Sequence, residues 1–132
     1  MEDLGKIKAL ANRLTVSLIH VKPAARAYFG NFIALLRREG ELRALEAVEA
    51  PEELVKWFEE ELSYQKIWLA ESQESFAKAQ KEYNRLTAEI KGLRAELSEL
   101  TAGVDFDKAS RERLTYLLTE PIPAVPTSKW RF

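Results

Sequence analysis

Cysteine is absent from the 132 residues, and histidine occurs once, at His20. The first absence removes disulfides, thiolate nucleophiles and cysteine-ligated zinc, and it suits a reducing compartment. The second leaves no histidine pair to hold a metal. A helical di-iron site would need glutamate three residues before its histidine, and Ser17 stands there. The five glycines form neither a phosphate loop nor a dinucleotide fingerprint. Long apolar runs are missing too. The longest aliphatic stretch is Ile33 to Leu36, and the opening MEDLGKIKAL is charged throughout, so neither a signal peptide nor a membrane span is expected. The expected location is the cytoplasm. Net charge is scarce as well: 31% of the residues are charged, yet they sum to −1, so any electrostatic binding must come from local segregation.

The chemistry left over is thin. Asp105-Phe106-Asp107 imitates the start of an EF-hand loop, but Ser110 replaces the glycine of the sixth place and Tyr116 the glutamate of the twelfth. These aspartates are expected to cap a helix instead. Glu71 with Glu74, and Glu96 with Glu99, stand at helical spacing, but they fall on outward, charged faces where nothing shifts a carboxylate toward acid–base work. No catalytic residue, cofactor or metal is assigned.

What the chain does have is a seven-residue rhythm. Val55, Leu62, Leu69, Phe76, Tyr83, Ile90, Leu97 and Val104 form one row, and Phe58, Gln65, Ser72, Ala79, Leu86, Leu93 and Leu100 lie three residues after each of the first seven. A repeat held this long keeps one seam facing one partner, which predicts a long coiled-coil helix over about 51–102. Its start is marked by Ala50-Pro51-Glu52-Glu53, proline and acids suiting the first turn, and its stop by Thr101-Ala102-Gly103. Its first third is apolar around most of its circumference, through Leu54, Trp57, Phe58, Leu62, Tyr64 and Trp68, and is expected to be packed among the N-terminal helices as a base. The middle places Gln65, Ser72 and Ala79 in three successive seam positions, a weaker stretch. The full two-row seam, Tyr83, Leu86, Ile90, Leu93, Leu97 and Leu100, is expected to join protomers. Parallel pairing is favoured slightly, because Glu61 would then face Lys66 and Glu89 would face Arg94, pairs worth ~0.3–0.5 kcal/mol. Residues 4–42 carry a second heptad pattern and are an alternative, antiparallel partner for the same seam.

That N-terminal pattern runs Ile7, Leu14, Val21, Tyr28, Leu35, Leu42 in one row, with Leu4, Leu18 and Phe32, and Ala11 and Ala25, in the other. Pro23 lacks an N–H and crowds the preceding turn, so a break or kink is expected near Val21 and Lys22. Charge is segregated along it. From Leu4 to Arg38 there is no acid, while Lys6, Lys8, Arg13, Lys22, Arg26, Arg37 and Arg38 are positive. From Glu39 to Ser63 nine glutamates face two cations. Mutual neutralisation, within a chain or between protomers, is the first reading, and a surface for DNA, RNA or another anion the second. Membrane binding fits less well, given Pro23 and the scarcity of tryptophan there.

After Gly103 a short helix through about Thr119 is expected, over 103–119, and then an extended arm over 120–132 whose three prolines forbid a helix. Its Ile122, Val125, Trp130, Arg131 and Phe132 suit either docking into another protein or folding back onto the same protomer or an identical neighbour. The fold class read from the sequence is all-α: N-terminal helices over 1–50 at the base of one long coiled-coil helix, then a short helix and an arm. The functional reading is a non-enzymatic assembly or adaptor protein acting as a homo-oligomer in a larger complex, such as a viral or multisubunit particle. The alternative is a small accessory subunit that binds nucleic acid through its basic N-terminal helices.

Overall fold

The structure, a computed structural model, describes residues 2–125, so the expectations for Trp130, Arg131 and Phe132 lie outside the described residues. The described chain is mostly helical, with no strand: α1 (Glu2–Glu46), a 3-10 turn (Glu52–Leu54), α2 (Val55–Thr101) and α3 (Lys108–Thr119). Among the described residues no helix is long and apolar enough to cross a membrane. The molecule divides into two units. Unit 1 takes α1 up to Ala25 together with Glu82–Ala124, and unit 2 is built from Arg26–Lys81.

Pro23 does not break the N-terminal helix, so of the two outcomes open to it, two helices or one, the chain takes one. Proline there forfeits the bond its N–H would have given the carbonyl of Ile19, at a cost of ~3 kcal/mol in a helix interior. Val21 and Ala25 on either side are buried and Pro23 itself is exposed, so packing of the flanking turns outweighs the missing bond. Gly40 does not end the helix either, which continues to Glu46. The signals at the other ends act as read. Gly103, at φ 74°, takes the left-handed conformation that closes α2 after Thr101. Asp107 caps α3, its Oδ1 accepting from the Ser110 amide at 2.9 Å.

That cap carries a titration signature. The hydrogen bonds from Ser110 hold the Asp107 carboxyl below its ordinary range, helped by the charge of Arg111. Because the folded value is depressed, the cap's contribution is present above the ordinary aspartate range and is lost as pH falls through the lower, folded value. The Ser110 amide shift, followed by NMR, is expected to titrate with a midpoint below ~3.9 and to lose that transition in Asp107→Ala. A midpoint at or above that value would contradict the cap.

In unit 1 three helices enclose a core. Ile7, Leu10, Leu14, Leu18, Val21 and Ala25 of α1 meet Tyr83, Leu86, Ile90, Leu93 and Leu97 of α2, and Leu117 of α3 closes the third side. Leu14, Ile90 and Leu97 have no exposed surface. The two long helices run antiparallel here, for Arg13 pairs with Glu89 at 3.7 Å while His20 lies near Glu82. The row expected to join protomers is therefore largely occupied within the chain, five of its six residues being buried and Leu100 half-buried.

α3 is tied down at its C-terminal end. The Arg94 guanidinium donates from Nε to the carbonyl of Leu117 at 2.9 Å and from Nη2 to that of Glu120 at 2.6 Å, satisfying backbone acceptors that a helix C-terminus leaves open. Beyond it the chain from Pro121 to Val125 has no regular structure, with Ile122 and Val125 half-buried. The Tyr83 hydroxyl donates to the Pro123 carbonyl at 2.6 Å.

Unit 2 has two long helical segments and, among the described residues, no third. They too run antiparallel. Tyr28 and Phe32 both meet the Phe76 ring, at 5.2 and 5.9 Å, Gln80 donates to the Tyr28 hydroxyl at 3.2 Å, and Arg38 lies over Trp68 at 5.1 Å. Tyr28, Phe32, Leu35 and Leu42 are buried on the α1 side. On the α2 side Phe58, Leu62, Gln65, Leu69, Ser72, Phe76 and Ala79 are half-buried only. One neighbouring helix covers one stripe, and nothing described covers the rest.

Candidate functional site

The expectation that residues 51–70 form a base buried on several sides is corrected by unit 2. Leu54, Trp57, Tyr64 and Trp68 are 49, 58, 54 and 39% exposed, while Phe58 and Leu62 are half-buried. A wide apolar circumference shows that a helix has more than one contact to make. It does not show that the chain itself makes them. In α2 the positions 57, 64 and 68 recur at seven and four residues, so the three rings stand in one row, and Tyr64 and Trp68 stack at 6.4 Å. Leu54 extends the row into the 3-10 turn, and Glu61 falls within it. Glu53 and Glu60 run alongside, both exposed, and none of these three glutamates has a cation within 4.0 Å among the described residues.

The row's edge nearest α1 is held by the Arg38 guanidinium over the Trp68 ring, a contact worth ~0.5–1 kcal/mol at an exposed site. Arg38 also reaches Glu41 at 3.4 Å, one turn along its own helix. Inside the seam the Oε1 of Gln65 is buried and accepts no hydrogen bond among the described residues. This is the polar seam position the heptad marked as weak.

The basic residues of α1 are not gathered into one surface. Arg13 pairs with Glu89, Lys22 with Glu120 at 3.6 Å, and Arg38 with Glu41, so three of the seven already face carboxylates. Lys6, Lys8, Arg26 and Arg37 have no such partner among the described residues. The mutual neutralisation of the basic and acidic blocks therefore amounts, in the described ion pairs, to Arg38 with Glu41. Elsewhere charge is traded along one helix face. Arg85 bridges Glu82 and Glu89 at 2.7 and 3.2 Å, and its hydrogen bond holds the Glu82 carboxyl below its ordinary value, the charge of His20 adding to this.

Unit 1 carries a crevice of about 280 Å³ between α1 and α3, lined by Leu4, Phe106 and Leu114 with Lys8, Ser110 and Arg113 among its polar groups. Arg113 is turned toward Thr15, donating to its hydroxyl at 3.2 Å. Among the described residues no three histidine, aspartate or glutamate side chains cluster as a metal site would require.

Several exposed apolar residues of α1 lie outside the heptad rows, Val16 and Ile19 among them. Phe29 and Ile33 of α1 are 46 and 39% exposed. They stand outside both rows, and that off-row position was the available signal. No family model, curated protein or solved structure matches the chain.

Proposed function

We propose that this chain is a non-enzymatic assembly or adaptor protein that acts as a homo-oligomer within a larger complex, in the cytoplasm. Its paired long helices would work as an antiparallel coiled coil that presents a contact surface. The observation that carries this reading is the row Leu54, Trp57, Tyr64, Trp68. Tryptophan and tyrosine dominate the energetics of protein interfaces, and three such rings in register on a rigid helix, open to solvent and rimmed by unpaired glutamates, suit a contact between proteins. The alternative, nucleic-acid binding by the basic residues, has less behind it because Arg13, Lys22 and Arg38 already face carboxylates.

Light scattering on the intact chain is expected to return a multiple of the monomer mass. Replacing Trp57, Tyr64 and Trp68 together by alanine should weaken association at least ~10-fold while leaving helix content unchanged, since all three lie outside the buried rows. A strictly monomeric chain at about 1 mM would overturn the reading. A mobility shift with DNA or RNA that steepens as salt is lowered would favour the alternative.

A further inference from the structure

We infer that the aromatic row of one chain docks against the exposed Arg26, Phe29, Ile33, Arg37 stripe of a second copy, so that association is head-to-tail. This rests on the assembly reading and names the partner surface. Arg26, Phe29, Ile33 and Arg37 are spaced at three, four and four residues along α1, which places them on one face of that helix. Phe29 and Ile33 are open to solvent, and Arg26 and Arg37 are exposed with no carboxylate within 4.0 Å among the described residues. The stripe is thus apolar at its centre and positive at both ends. The row on α2 is aromatic and apolar but for Glu61 within it, with Glu53 and Glu60 beside it. The two are alike in apolar character, opposite in sign and comparable in length, ~16 Å against ~21 Å at the helical rise.

Their placement decides the kind of contact. Arg38 lies over Trp68, so the aromatic row stands on the flank of the helix pair that Arg38 occupies. Phe29 is nine residues from Arg38 on the same helix, about two and a half turns, and therefore points to the opposite flank. A self-contact of the aromatic row would set glutamates against glutamates. A contact between the two stripes sets them against arginines and uses different patches on the two copies, which is the heterologous arrangement.

Charge exchange tests this. One variant carries Glu53→Lys with Glu60→Lys, the other Arg26→Glu with Arg37→Glu, all four positions being exposed. Each alone is expected to associate at least ~10-fold more weakly than wild type, because both of its stripes then carry net charge of one sign. An equimolar mixture is expected to recover wild-type association, since every junction of alternating copies is again opposite in charge. Circular dichroism should show unchanged helix content in both variants. If wild type associates and each variant alone associates equally well, the stripe pairing is overturned while the assembly reading stands. If both variants are weak and the mixture stays weak, the aromatic row has another occupant and the pairing is equally overturned. A wild-type chain that does not associate removes the assembly reading itself.

Discussion

Replacing Ile90 by aspartate is expected to unfold unit 1, not to loosen an oligomer. Ile90 has no exposed surface and lies in the core that α1, α2 and α3 share. The cation one turn on, Arg94, already donates to the carbonyls of Leu117 and Glu120, so a carboxylate there gains a partner only at their expense. Uncompensated burial of a charge costs several kcal/mol, and the lost isoleucine packing adds ~2 or more. Against the ~5–15 kcal/mol that holds a typical domain together, a combined loss of ~5 kcal/mol leaves unit 1 largely unfolded at 37 °C. Denaturant melts followed by the tertiary signal of Tyr83 would show it. Ile90→Val, which removes one methyl group, should cost ~1 kcal/mol and keep the fold. An aspartate variant with wild-type stability would mean that the row is not buried within the chain.

The next largest effect is expected at Arg94. Its two donations to the carbonyls of Leu117 and Glu120 are charge-assisted and half-buried, and hydrogen bonds to charged groups are worth ~1.5–3 kcal/mol. The positive charge also complements the negative end of the α3 dipole. Arg94→Met keeps the aliphatic stem but leaves both carbonyls without a donor, so a loss of ~2 kcal/mol is expected, with faster amide exchange confined at first to α3. Arg94→Lys should recover only part of it, because one ammonium on a flexible stem cannot reproduce the fork that reaches two carbonyls three residues apart. Equal stability of the methionine variant would show that Leu117 alone docks α3.

What the sequence disclosed follows a physical division. The caps were legible because they are local. Asp107 and Gly103 act through atoms within a few residues of themselves, so residue type and position suffice. The buried rows were legible for a related reason, since a repeat of seven fixes which face of a helix turns inward, and Ile7, Leu14, Val21, Tyr28, Leu35 and Leu42 are all buried. The identity of the covering partner is not a local property. Ile90 and Leu97 have the same spacing whether a sister chain or α1 lies over them, and in this structure α1 and α3 do. The candidate site shows the same limit from the other side. Trp57, Tyr64 and Trp68 were singled out as needing contacts, but nothing in their spacing says that the chain's own helices stop short of supplying them. At Pro23 the sequence leaves a break and a continuous helix both open, because the proline's local penalty is real and the burial of Val21 and Ala25 that offsets it is not a local property.

α3 holds a further consequence. Twelve residues are too few for a helix to persist alone in water, and this one has Asp107 at its head, Arg94 at its tail and Leu117 as its buried anchor. Two of those three supports lie within or beside the segment, but the third belongs to α2, so α3 cannot be stable before it has docked on α2. Its formation therefore comes late in time and its loss early. In the life of a folded molecule the first opening of unit 1 would be the departure of this helix, which bares Leu97 and its neighbours for a moment while the long pair remains closed.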